Sequence, residues 1–154
     1  MLQVRFFEYY TLGLEEKFPE GYLVTEEEII EFGQRWDPQP FHTDPEAARQ
    51  SHFGGLVASS VHLFAIAVRL GTSVPQDKRA AAVSALGFTN MHLKAPARVG
   101  DTLSLNIRVI DSRKSKSKPD LGVVGMYHEL RNQNDEIVFT FDDAFLVRKG
   151  PRSQ

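Results

Sequence analysis

The chain has no cysteine. Disulfides, thiolate metal sites and a cysteine nucleophile are thereby excluded, and a reducing, cytoplasmic setting is the expectation. Long apolar runs are missing too. The most hydrophobic stretch, residues 56–70, carries Ser59, Ser60, His62 and Arg69, and it falls short of the roughly 20 apolar residues a membrane span needs. Neither sign of charge prevails: 18 Lys and Arg stand against 20 Asp and Glu, a net charge of -2. Nothing therefore draws the chain as a whole to nucleic acid or anionic lipid. Residues 1–10 lack the regions of a signal peptide, so export is not expected. Phosphate-loop, dinucleotide, HExxH and G-x-S-x-G patterns are all missing, which removes nucleotide, zinc-protease and serine-hydrolase readings. His42, Asp44 and His52 lie near one another in sequence, but no ligand spacing groups them; neither metal nor cofactor is expected.

What remains is 154 residues, 42% hydrophobic and 25% charged, enough for one domain over residues 1–150 with a loose tail at 151–154. Val24-Thr25-Glu26-Glu27-Glu28-Ile29 carries a capping box, Thr25 with Glu28, and a staple, Val24 with Ile29; a helix starts there and ends before Asp37-Pro38. Asp44 as N-cap and Pro45 at N1 begin a second, short helix. Residues 56–70 are apolar on nearly all sides and read as a buried helix opened by Gly54-Gly55 and closed by Gly71.

From Ala82 onward the period becomes two. Leu86, Phe88, Asn90 and His92 alternate with their neighbours, as do Leu103, Leu105, Ile107 and Val109, and residues 121–130 and 137–147 follow as two more strands across the turn at Asn132 to Asp135. Lys114, Lys116 and Lys118 mark a solvated hairpin tip, with contact to a phosphorylated ligand the lesser alternative. One buried helix followed by a long antiparallel sheet implies an α+β architecture in which the sheet curls around the helix. Its open edges make a homodimer the default assembly.

The chemistry lies in Trp36-Asp37-Pro38-Gln39-Pro40-Phe41-His42, where a carboxylate and an imidazole sit five residues apart on a proline-stiffened loop. Either residue alone has a plain structural role, Asp37 in an Asx turn and His42 in an ordinary loop. Together, beside a glycine-led helix start whose dipole and free N–H groups favour a developing oxyanion, they form a candidate proton-transfer site for a carbonyl compound. His62 reads as a buried imidazole with a partner rather than a pocket residue, and His52 as a solvated loop residue near the entrance. His92 and His128 receive no role.

Asp37-Pro38-Gln39-Pro40-Phe41-His42, the short helix after Asp44, Gly54-Gly55, and Pro96-Ala97-Arg98-Val99-Gly100-Asp101-Thr102-Leu103 before a strand resemble the MaoC-like dehydratases, the group containing the (R)-specific enoyl-CoA hydratases. The resemblance spans residues 24–147. It implies the hot dog fold, a curved antiparallel sheet wrapped around one long central helix. The family motif Asp-x-Asn-Pro-x-His is matched by Asp37, Pro40 and His42, with Gln39 in place of Asn, and Gly54-Gly55 stands where the family has a His-Gly pair.

The resemblance implies Asp37 and His42 as the catalytic pair, Gly55 N–H as the oxyanion donor, and Gln39, Pro40 and Gly54 as substrate-positioning residues. The implied activity is reversible addition of water across the 2,3 double bond of a 2-enoyl thioester on coenzyme A or an acyl carrier, by a homodimer or dimer of dimers. Two alternatives stay open: a thioesterase on the same fold, and a non-catalytic subunit that binds acyl thioesters.

Overall fold

A computed structural model describes residues 4–151; the expected tail lies, apart from Pro151, outside the described residues. The first helix, α1 (Glu26–Trp36), begins where the capping box places it. Thr25 Oγ1 accepts from Glu28 N–H at 3.2 Å, and the buried face presents Ile29 and Gly33. Two short helices follow, α2 (Pro40–Thr43) and α3 (Pro45–Gln50). Asp44 caps α3 through Oδ1, which accepts from Glu46 N–H at 2.9 Å and Ala47 N–H at 3.2 Å.

The apolar stretch becomes a helix later than expected. α4 spans Ser60–Thr72, and Gly54-Gly55 do not open it. Ser59 is its N-cap, its hydroxyl accepting from His62 N–H at 3.1 Å. Leu56, Val57 and Ala58 are apolar because they are buried, not because they are helical. They run as an extended segment: Val57 bridges Arg98 antiparallel, Ala58 N–H donates to Ala97 O at 2.9 Å, and Val57 N–H donates to Phe41 O at 3.2 Å. Gly54 serves a turn, with φ +68° and open space around it.

Five strands form one antiparallel sheet in the order β1-β3-β4-β5-β2: β1 (Glu15–Leu23), β2 (Ala82–Leu93), β3 (Thr102–Lys114), β4 (Leu121–Arg131) and β5 (Ile137–Arg148). The four C-terminal strands stand where the alternation placed them, and Asn132 Oδ1 closes the last turn by accepting from Asn134 and Glu136 N–H. β1 is a strand that the sequence pattern does not announce. It contains Pro19 and Gly21, and its pairing slips between Phe18, opposite Leu105, and Tyr22, opposite Leu103. An edge position and a bulge are where a sheet tolerates such residues.

The concave face packs on α4. Leu63, Ile66, Ala67 and Leu70 from the helix meet Leu103, Leu105, Val124, Leu130 and Phe139 from the sheet in one core. This is the α+β layout of a sheet around a central helix. All of β2 is exposed, including Leu86, Phe88 and Leu93.

Candidate active site

His42 is 6% exposed and sits in α2, the single turn that Pro40 initiates. Its Nδ1 lies 2.6 Å from the carbonyl oxygen of Val57. A carbonyl only accepts, so this contact places a proton on Nδ1, and in the neutral ring the Nε2 lone pair is then free, the tautomer a general base requires. Val57 is able to do this because residues 56–58 are extended beside α2 rather than helical.

Asp37 is the C-cap of α1, its N–H donating to Gly33 O at 2.9 Å. That cap aims the carboxylate at α2, and Asp37 Oδ2 stands 3.5 Å from His42 Nε2. The gap is too long for a strong direct hydrogen bond. Both atoms are instead within hydrogen-bond reach of one small molecule seated to the side of the line that joins them.

Gly33 sets how closely α1 approaches α2. A Cβ there would lie 2.7 Å from His42 O and 2.9 Å from His42 Cβ, closer than side-chain atoms approach. Read in sequence, Gly33 weakens a helix end; in three dimensions it is the reason the acid reaches the imidazole.

Asp37 and His42 line one cavity of about 430 Å³. Phe41, Phe53, Ala58 and Leu63 supply apolar wall, and the exposed residues His52, Ser60, Lys94 and Arg98 complete the lining. Arg98 is tied down by donating from Nη1 to Phe53 O at 2.8 Å. Ser60 is the first residue of α4, so its N–H has no intrahelical acceptor and the helix dipole adds to its pull on negative charge.

The other residues expected at the site fall elsewhere. Gln39 and Pro40 are exposed and lie outside the cavity lining, though Gln39 O anchors α2 by accepting from His42 N–H at 2.9 Å. Gly55 faces a separate surface depression with Glu26, Pro45 and Leu56. Gly55 does not open the helix: the helix start beside His42 belongs to Ser59-Ser60. Ser59 with His62 three residues on was the available signal, hidden by the apolar run before it. Among the described residues, no group of three His, Asp or Glu side chains is arranged to hold a metal ion.

His62 lies behind the site rather than in it. It is 2% exposed, stacks on Phe32 at 4.4 Å, and has Glu28 Oε1 3.5 Å from Nε2 without a hydrogen bond at either ring nitrogen. Burial pushes its pKa down, and the Glu28 carboxylate only partly offsets this. Burial, and then the hydrogen bond that the Tyr22 hydroxyl donates to that same carboxylate, lift the phenol to about 12.

A family model described as "MaoC like domain" matches residues 11–130. A MaoC-like dehydratase from Rhodospirillum rubrum superposes with a TM-score of 0.88 at 33% identity, over 96% of this chain and 99% of that one. The (R)-hydratase of A. caviae involved in PHA biosynthesis gives 0.67 at 20% identity, over 91% and 97%. A Mycobacterium tuberculosis protein described as having a double hot dog fold gives 0.73 at 18% identity, over 98% of this chain and 46% of that one. The sheet wrapped around α4 is thus a hot dog fold.

Proposed function

Because the chain belongs to the MaoC-like domain family, we propose that it hydrates 2-enoyl thioesters reversibly, with Asp37 and His42 moving the protons and Ser60 N–H holding the oxyanion. The thioester carbonyl withdraws electrons from C3, so water adds there once its proton is removed. The observation that carries this reading is the 3.5 Å separation of Asp37 Oδ2 and His42 Nε2 on one cavity wall, a spacing that lets both groups contact the same water.

In the forward direction the water's O–H bond breaks, its oxygen bonds to C3, and the C2–C3 π electrons move toward the carbonyl oxygen. The pair takes the proton and returns one to C2, a contribution of roughly 10²- to 10⁴-fold for positioned acid–base groups. The enolate oxygen meets the Ser60 N–H at the positive end of α4, where a preorganised donor is worth a comparable factor. Dehydration follows the same path backward. Division of labour within the pair is left joint, since interacting groups titrate together.

Lys94 and Arg98, exposed on the cavity lining, are suited to the phosphates of coenzyme A or of a carrier's prosthetic arm. By likeness to the (R)-hydratase of A. caviae, an (R)-3-hydroxyacyl product is expected. A homodimer is the proposed unit: β2 is a free sheet edge with Leu86 53%, Phe88 46% and Leu93 59% exposed, and pairing with a second copy removes that edge.

The test is incubation with crotonyl-CoA, following loss of the conjugated double bond in parallel with release of free thiol. Loss of the double bond without thiol is the expected result. Thiol release without hydration would make the protein a thioesterase, and binding without either would make it a non-catalytic acyl-thioester-binding subunit.

A further inference from the structure

Phe64 reaches from α4 to β2. Ser60, Phe64, Val68 and Thr72 form one row of the helix at four-residue spacing, and along this row Ser60 lines the active-site cavity while Val68 and Thr72 line a second one of about 480 Å³. Between them the Phe64 ring packs edge-on against Phe88 at 5.0 Å and Phe141 at 5.1 Å. β2 repeats the arrangement, with Leu93 at the first cavity and Ala85 and Phe88 at the second. The two spaces therefore follow one another along the same helix row and the same strand, with the Phe64 ring packed on Phe88 and Phe141 between them.

The far compartment is walled by Phe88, Ile107, Met126, Phe141 and Phe145, with Arg5, Lys78 and Arg79 also on its lining. Glu16 lines it too, and against the apolar wall stands a further polar pair. His128 and Asp143 are diagonal neighbours on β4 and β5, since His128 pairs with Phe141 and Met126 with Asp143. Their side chains are 13% and 17% exposed, with His128 Nε2 3.1 Å from Asp143 Oδ2. That contact is off the line a hydrogen bond requires: both ring nitrogens of His128, and Oδ1 of Asp143, lack a hydrogen-bond partner. His128 also stacks on Phe141 at 4.3 Å, so the ring is held in place while its polar atoms go unsatisfied. Buried polar groups in native proteins are nearly always paired, and a buried pair with unsatisfied atoms calls for a ligand or a role.

We propose that the substrate's acyl tail passes Phe64 into this second compartment and ends in a hydroxyl group, which the His128–Asp143 pair binds. The inference rests on the thioester-hydratase reading and names the substrate class for it. A carboxylate accepts and an imidazole can both accept and donate, so a hydroxyl, which does both, complements the pair where an alkyl end does not. Eight residues of helix separate Ser60 from Val68, about 12 Å. At the roughly 1.2 Å per bond of an extended chain, that is a tail of about ten atoms. A site that hydrogen-bonds a substrate hydroxyl discriminates strongly against the analogue lacking it, because its own polar groups are then left unpaired.

The test compares two 2-enoyl-CoA thioesters of equal length, about ten carbons, one ending in methyl and one in a terminal hydroxyl, with crotonyl-CoA as the short reference. The hydroxyl-tipped substrate is expected to show at least tenfold higher kcat/KM, a preference that Asp143→Asn reduces and that the double replacement His128→Leu, Asp143→Leu reverses. Equal kcat/KM for the two tails, with crotonyl-CoA hydrated, would overturn the inference and leave the hydratase reading standing. If none of the three is hydrated, the hydratase reading fails instead. Calorimetric titration with the saturated thioesters of the same two tails then decides: tenfold tighter binding of the hydroxyl-tipped one sustains the site, and equal binding removes it.

Discussion

At Gly33 a missing side chain controls the distance between two others. Gly33→Ala would place a Cβ 2.7 Å from His42 O and force α1 and α2 apart. Overpacking of this kind costs typically 1–3 kcal/mol. The expected outcome is a folded protein of lowered stability whose hydration rate falls more than tenfold, measured by melting and by steady-state kinetics on the same sample. Full activity in a destabilised Gly33→Ala would show that the Asp37–His42 spacing does not matter. His62 sets a second expectation. Its pKa is depressed in the folded state, so the unfolded chain binds the extra proton first as pH falls below about 6.5. The native state therefore loses stability between that pH and the folded-state pKa, with a slope of at most about 1.4 kcal/mol per pH unit. His62→Leu should flatten the dependence. An unchanged slope in denaturant titrations across pH 5 to 7 would mean that other groups carry it.

At the scale of elements, legibility followed local chemistry. The caps at Thr25 and Asp44 are side-chain-to-backbone contacts within three residues, so both helix starts could be read directly from sequence. The strand alternation of Leu103, Leu105, Ile107 and Val109 survives as a row of buried residues. The start of α4 is not legible because burial and helicity look alike in an apolar run: Leu56, Val57 and Ala58 are buried, and Val57 and Ala58 spend their N–H groups on Phe41 O and Ala97 O, residues distant in sequence. β1 was missed because an edge strand with a bulge has no need of regular alternation. Asp37 and His42 were legible as a pair, whereas Val57 O, Ser60 and Gly33 act through backbone positions that no residue type reveals. The Val57 carbonyl is testable through its neighbour. Val57→Pro removes the N–H that donates to Phe41 O at 3.2 Å, so the extended segment should loosen and activity should fall with little loss of secondary structure by circular dichroism.

For the whole molecule the open question of form is what covers β2. Twelve exposed residues on a sheet edge are an invitation to pair, and charge on such an edge is how proteins prevent pairing. Val83→Lys with Leu86→Lys should convert a dimer into a species of single-chain mass by light scattering. Single-chain mass in the unaltered protein would remove the homodimer from the account. Among the described residues no helix is long and apolar enough to cross a membrane, and the fold is that of the MaoC-like family throughout.

Asp37 and His42 are proposed to act as one unit, and a double-mutant cycle on crotonyl-CoA hydration tests that most directly. Asp37→Asn and His42→Ala should each lower kcat at least about 100-fold with the fold intact, and the double variant should be scarcely worse than either single one. Independent, multiplying losses, or hydration that survives either replacement, would contradict it.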